Sequence, residues 1–294
     1  MKIKKSTGDL VFDMLNYGIL FLAGMICLIP FVHLVALSFS HQAAATKGIV
    51  GLWPIQFTTA AYNYAFQKPS FFRAFGITIA RVTLGLLINL TLMTLTAYPL
   101  SKHNRELPGR TAISWFFLLT MFLSAGLIPT YLIVNATGIT NTLLALILPG
   151  AVSVYNVTIL LNFFRQIPRE LAESAVMDGG SQFVCLRKIY IPLSLPCYAT
   201  LIIFLTVGHW NAWFDGMIYM NDKNNYPLMT YLQNIIATPD LSLIDTTQLE
   251  LVSQISSRTF QAAQIMIATL PILILYPFMQ KYFIKGMTLG ALKG

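Results

Sequence analysis

A chain of 294 residues that is 56% hydrophobic and only 10% charged lies far from the composition of a water-soluble domain. With a mean hydropathy of +0.66 it cannot hide its apolar surface within itself, so lipid must act as solvent. A secreted mini-protein, a disordered tail and a free cytosolic enzyme are excluded, and the net charge of +8 is read through its placement in a membrane chain, with no nucleic-acid partner expected.

Apolar runs long enough to cross about 30 Å of hydrocarbon at about 1.5 Å per residue predict six helices. They lie near 14–40, 72–99, 111–134, 142–164, 194–214 and 260–282. The expected fold is all-α: a polytopic membrane protein with six transmembrane helices in a single domain over 1–294. The first run follows Lys2, Lys4 and Lys5, and Ala43 and Ala45 after it resemble a signal-peptidase site. Its apolar core of about 25 residues exceeds the 7–15 of a cleaved signal, which favours a retained helix. Pro30, Pro129, Pro149 and Pro271 are expected kink points. Of the three cysteines, Cys27 and Cys197 sit in apolar runs and Cys185 in a charged loop, which gives no disulfide framework.

Thirteen of the nineteen basic residues fall in segments 1–13, 100–110, 165–193 and 283–294 or at Lys281. Five fall on the opposite side: Lys47, Lys68, Arg73, Lys223 and Arg258. Positive charge accumulates in cytoplasmic loops, so both termini are expected in the cytoplasm, in keeping with an even number of spans. The remaining cation, Arg81, lies well inside the second run, where an unpaired charge costs at least about 2.5–3.5 kcal/mol. Two readings stand: a cation facing a transport path, or an arginine that snorkels outward or pairs with a backbone carbonyl. No Asp or Glu falls well inside a run, only near the ends as with Asp13 and Asp215, which argues against a proton-driven carrier.

The inner loop between the fourth and fifth runs, 165–192, parses as two short helices. Pro168 suits a first turn, Glu170 and Glu173 suit the positive end of a helix, and Gly179-Gly180 permits a left-handed exit. Ser181 then caps a second helix that carries Phe183, Leu186 and Tyr190 as an apolar stripe, with Arg187 and Lys188 near its end, before Pro192. Two readings stand here also: a finger that fits a groove on another protein, or an amphipathic linker lying on the bilayer.

Glu173-Ser174-Ala175, three residues, Gly179, nine residues and then Ile189-Tyr190-Ile191-Pro192 resemble the EAA loop of permease subunits in binding-protein-dependent ABC importers. Glu173, Ala175, Gly179, Ile189 and Pro192 match that pattern residue by residue, while Ser174 replaces an alanine and Ile191 a leucine. Asp178, Trp210-Asn211-Ala212-Trp213, Tyr226-Pro227-Leu228, Leu127-Ile128-Pro129-Thr130-Tyr131 and the ending 285–294 are similar to the carbohydrate branch, of the maltose-type second permease kind. Within it the chain looks closest to subunits serving complex and acidic oligosaccharides such as alginate.

The resemblance implies a type I ABC importer permease fold in a bacterial inner membrane, and an oligosaccharide substrate. It implies a second, different permease subunit, two ATPase subunits and an extracytoplasmic solute-binding protein as partners. Glu170, Glu173, Ala175, Asp178, Gly179, Ile189 and Pro192 are then the expected coupling contacts with the ATPase, and Lys285, Gly290 and Lys293 candidate tail contacts. No G-x-x-x-x-G-K-[ST] occurs, so ATP and Mg are expected on the partner subunits, with no cofactor, metal or catalytic residue on this chain.

A sugar offers hydroxyl edges and apolar C–H faces, so hydrogen-bonding and aromatic side chains are the candidate path residues. Arg81, Asn89, Tyr155, Asn156, His209, Trp210, Asn211 and Trp213 qualify by chemistry. Each has a plainer alternative: an interfacial aromatic belt for the tryptophans, helix-to-helix bonds for the asparagines, a satisfied boundary histidine for His209. If the substrate is a polyuronate, Arg81 becomes a carboxylate partner, and Arg81→Gln should lower transport of acidic sugar with assembly intact. The outer stretches 41–71 and 215–258 are expected to meet the binding protein or the companion permease. Rival classes are an ion-coupled secondary sugar carrier and an intramembrane protease using His33 or His209 with Ser124, although no nucleophile signature supports the latter.

Overall fold

The computed structural model describes residues 7–123, 125–237 and 256–291, with side chains in the last helix described to Ile274 and at Pro277. Among the described residues there is no strand. The first long helices are α1 (Thr7–Ser38) and α4 (Pro69–Ser101), with the short α2 (Gln42–Lys47) and α3 (Ala60–Gln67) between them. Then come α5 (Arg110–Phe122), α6 (Leu127–Ala136), α7 (Leu143–Ile147), α8 (Val154–Gln166) and α9 (Arg169–Met177). The chain continues through α10 (Gln182–Cys185), a π turn at Leu186–Tyr190, α11 (Ile191–Leu193), α12 (Leu195–Asn211), α13 (Phe214–Tyr219), α14 (Leu228–Ala237) and α15 (Ser257–Ala291).

The expected spans land on helices, three of them, α1, α4 and α15, as single long helices. Val11–Ser38 and Pro69–Ser101 are long and apolar enough to cross a bilayer unaided. The run 111–134 is divided between α5 and α6, and 142–164 between α7 and α8, whose axes differ by 56°. A further bend of 79° separates Gln182–Leu193 from Leu195–Asn211. Local chemistry accounts for the breaks. Leu148-Pro149-Gly150 closes α7 as a 3-10 turn, and Ser153 restarts the chain by accepting the Asn156 N–H at 3.4 Å. Of the expected kink points, Pro129 instead sits in the first turn of α6, where its missing N–H has no helical partner to lose, while Pro30 and Pro271 lie inside α1 and α15.

The chain divides into two compact units. The first comprises residues 1–69 and 234–269. Here the loop after α1 is tied back by Ser40, which donates to Ala36 O (2.6 Å) and accepts from Ile55 N (3.0 Å). Phe39 stacks between Phe57 and Tyr62, at 5.3 and 4.7 Å, and Tyr64 meets Phe260 edge-on at 5.1 Å. α1 itself is exposed and apolar along most of its length. Such a surface is stable only against hydrocarbon or another apolar protein.

The second unit comprises residues 70–233 and 270–294. Its core is built by Met93, Ala97 and Tyr98 of α4, Leu160, Leu161 and Phe164 of α8, and Cys197, Tyr198 and Leu201 of α12. Four residues of the inner loop join them: Ile167, Ala172, Leu186 and Tyr190. The loop is thus part of the same packed body as the three helices.

Candidate functional site

The inner loop is a two-armed finger with a defined elbow. The C-terminus of α9 closes with Gly179 N–H on Val176 O (3.0 Å) and Gly180 N–H on Ala175 O (2.8 Å), a paired-bond cap that needs the left-handed φ of 82° at Gly179. Gly180 is equally constrained, since a Cβ there would lie 2.5 Å from the Ala175 carbonyl oxygen. Ser181 caps α10 by accepting the Val184 N–H at 3.4 Å. The expected helix, left-handed exit and cap are all present.

The base of the second arm is clamped to the helices. The Tyr98 hydroxyl donates to Gln182 at its carbonyl (3.1 Å) and at Oε1 (2.7 Å). Tyr98, Phe164 and Tyr190 meet edge-to-face, with Tyr190 at 5.0 Å from Tyr98 and 5.4 Å from Phe164. The Lys102 ammonium lies over both tyrosine rings, at 4.6 and 5.0 Å. Burial first, and then the negative charge of Glu106, raise the Tyr190 phenol above its ordinary pKa, so it stays neutral beneath the cation.

This packing alters the expected apolar stripe. Leu186 and Tyr190 point into the core, where they anchor the finger, and Phe183 alone of the three is exposed, at 66%. The free surface is instead Phe183 together with Leu171, Val176 and Met177 of the first arm, Met177 being 86% exposed. Glu170, Glu173 and Asp178 are exposed beside them, Ala175 and Ile189 are half-buried, and Gly179 and Pro192 lie at the surface.

A second constellation runs along α4. Thr78, Arg81, Gly85, Asn89, Met93 and Ala97, three or four residues apart, form one buried face. Thr78 Oγ1 accepts from Leu228 N (2.7 Å). The Arg81 guanidinium forms a two-pronged ion pair with Asp215, with Nη1 to Oδ1 at 3.2 Å and Nη2 bonded to Oδ2. It also donates to Ala212 O and Leu146 O, each at 3.3 Å. Gly85 makes room for the His209 ring, since a Cβ there would come within 2.5 Å of Nε2. Asn89 Nδ2 and His209 Nε2 share a bond of 3.0 Å, and Thr94 Oγ1 and the Tyr198 hydroxyl one of 2.7 Å. Side chains at helical spacing on α4 therefore fasten it to α12 and to the segment after it.

The expected path residues separate into two groups. Arg81, Asn89, Asn156 and Trp210 are buried, Trp210 with its ring edge-on to Phe75 at 5.8 Å, and His209 is half-buried on Asn89. Tyr155, Asn211 and Trp213 are exposed. Arg81 thus differs from the free carboxylate partner anticipated for it: Asp215 already matches its charge, and two carbonyls take further donors. Both readings from sequence missed the Asp215 pair, although the spacing of Arg81, Gly85 and Asn89 was a usable sign of a helix contact face. Lys285 and Gly290 lie on α15 beyond the described side chains, and Lys293 lies outside the described residues. Of the protease constellation, His33 bonds Gly51 O at 2.9 Å, His209 bonds Asn89, and Ser124 lies outside the described residues.

Comparison with known proteins bears directly on the finger. Residues 107–289, which contain it, match the family model described as "Binding-protein-dependent transport system inner membrane component". The chain is 40% identical over 288 residues to "Protein LplC" of Bacillus subtilis (strain 168), covering 97% of this chain and 95% of that one. It is 36% identical over 284 residues to the "Polygalacturonan/rhamnogalacturonan transport system permease protein YtcP" of the same organism, covering 97% and 99%. A solved bacterial ABC transporter "involved in the import of the acidic polysaccharide alginate" contains a chain that superposes with a TM-score of 0.87 at 28% identity, covering 96% of this chain and 100% of that one. The model covers well over half of the sequence and the relatives nearly all of it: the chain belongs to the family of inner membrane components of binding-protein-dependent transport systems.

Proposed function

We propose that the chain is one of two permease subunits in an ATP-driven importer that carries an oligosaccharide, of the uronate-bearing acidic kind, from an extracytoplasmic binding protein into the cytoplasm. The observation that carries this reading is the finger at 165–192, with an exposed acidic and apolar tip and a base packed into α4, α8 and α12. Two ATPase subunits grip such tips in clefts, one on this chain and one on a second, different permease. ATP and Mg reside on the ATPases, and this chain takes no part in bond cleavage. When the ATPases close, the cleft moves the tip, and the clamped base carries α8 and α12 with it as a rigid body, switching access from inside to outside. The concentration of basic residues in segments 100–110 and 165–193 supports an inner-side position for the finger.

The acidic substrate class is supported by what the relative YtcP and the alginate transporter are named for. Exposed Tyr155, Asn211 and Trp213 are the side chains of this subunit offered to sugar hydroxyls and C–H faces. Arg81, Asn89 and His209 serve the path indirectly by holding its helices together. The exposed aromatic loop around Trp53 and Phe57 is the surface offered to the binding protein. The test is reconstitution of the full complex in liposomes. Uptake of an acidic oligosaccharide should require both ATP inside and the binding protein outside; uptake driven by an ion gradient alone would overturn the proposal.

A further inference from the structure

Where α4 ends at the inner side, a cavity of about 410 Å³ opens between the segment after it and the start of α9. It is shallow and wide open, and its lining residues His103, Arg105, Glu106 and Arg169 are all exposed. These residues belong to the inner-side segments that concentrate basic charge, immediately beyond the apolar length of α4.

The charges around this cavity are unbalanced in an informative way. Glu106 is the one acid in the lining, and it is already engaged: Oε2 lies 4.0 Å from Lys102 Nζ and Oε1 accepts from the His103 backbone N–H at 3.3 Å. Lys102 is itself held over Tyr98 and Tyr190. Arg105 and Arg169 form no ion pair among the described residues, and they come from two separate elements that face one another across the opening. Arg110 donates to Lys102 O (3.0 Å) and Arg165 to Leu100 O (3.3 Å), two cations whose charges oppose each other. Those two are explained by the carbonyl end of α4, which attracts positive groups. The guanidinium groups of Arg105 and Arg169 are not, while the His103 ring accepts the Arg105 backbone N–H at Nδ1 (3.3 Å).

We propose that this cavity binds a phosphate-ester anion at the inner face of the membrane, the phosphate lying between the guanidinium groups of Arg105 and Arg169 with His103 beside it. Guanidinium forks suit phosphate oxygens because two parallel N–H bonds can be made at once. The position at the end of a membrane-crossing helix makes an anionic phospholipid headgroup the first source, as basic pockets at cytoplasmic helix ends favour. A soluble phosphate compound shares the same chemistry. The inference is independent of the transported sugar, since nothing in the cavity belongs to the path residues.

The experiment uses the assembled transporter in nanodiscs of phosphatidylcholine alone or with phosphatidylglycerol, followed by native mass spectrometry and by titration of the lipid. The wild type should retain phosphatidylglycerol in preference to phosphatidylcholine. Retention should fall about fivefold for R105Q or R169Q and roughly thirtyfold for the double variant, on the usual worth of one basic side chain near anionic lipid. R187Q/K188Q removes the same charge from the exposed second arm of the finger and should leave retention near the wild-type value. In phosphatidylcholine discs, phosphorus NMR with inorganic phosphate reads the second source: broadening lost in R105Q/R169Q assigns the site to soluble phosphate. Equal retention in wild type and R105Q/R169Q, with no phosphate broadening in either, would overturn the proposal. So would equal losses in the two double variants, because the effect would then be diffuse charge rather than this cavity.

Discussion

Replacing Arg81 by glutamine should damage assembly rather than selectivity. Arg81 is 2% exposed, and its side chain holds three partners at once: Asp215, Ala212 O and Leu146 O. Removing one member of a buried pair leaves the other charge uncompensated, which costs about 3–5 kcal/mol. The Asp215 side chain keeps 27% exposure, so water softens the loss and the lower end, about 3 kcal/mol, is the appropriate figure. A charge exchange, R81D/D215R, should not restore the protein, because the two carbonyls that now accept from the guanidinium would face a carboxylate. R81K, which keeps the charge and donors but not the fork, should fall between. The assay is thermal stability and yield of the purified complex by fluorescence-detected gel filtration, with uptake of acidic and neutral oligosaccharides measured on what assembles. R81Q and D215N should both lower stability strongly, and the molecules that survive should lose acidic and neutral uptake in proportion. A stable R81Q complex that has lost acidic uptake alone would refute this reasoning and make Arg81 a substrate cation after all.

Other substitutions probe the remaining joints. Gly85→Ala places a methyl 2.5 Å from His209 Nε2 and should lower complex yield, and adding His209→Ala should recover part of it because the obstructing ring is gone. Gly179→Ala strains a backbone at φ 82° by about 1–2 kcal/mol, and Gly180→Ala pushes against the Ala175 carbonyl. Both should weaken co-purification of the ATPase more than they weaken folding of the permease. Tyr98→Phe removes the hydroxyl bonds to Gln182, worth about 1 kcal/mol, and should speed amide exchange in 182–190. Phe183→Ala, at a side chain that is 66% exposed, should leave thermal stability within about 0.5 kcal/mol of wild type while weakening ATPase association severalfold.

Much of the finger was legible in the sequence because its determinants are local. A serine three residues before the amide it caps, and a glycine pair at a helix end, fix geometry over one turn. Its orientation was not legible. Periodicity grouped Phe183, Leu186 and Tyr190 on one apolar face, but which face is anchored depends on Tyr98 and Phe164, which come from other helices. The partner of Arg81 was hidden for the same reason: Asp215 lies 134 residues away, and its position near a span end made it look like a boundary group. Likewise, runs read as continuous spans proved to be bent pairs. An apolar window reports length and hydropathy, whereas the break comes from a few residues such as Pro149, Gly150 and Ser153.

The central claim is that the finger's tip is held by an ATPase and its base moves the helices. The most direct measurement is cysteine crosslinking from Met177, which is 86% exposed on the first arm, in the assembled complex with Cys27 replaced by serine. A short crosslinker from Met177→Cys should join this chain to the ATPase, with and without nucleotide, and the site should be shielded from impermeant reagents added outside intact cells. Labelling from outside, or crosslinks to lipid alone, would contradict the account.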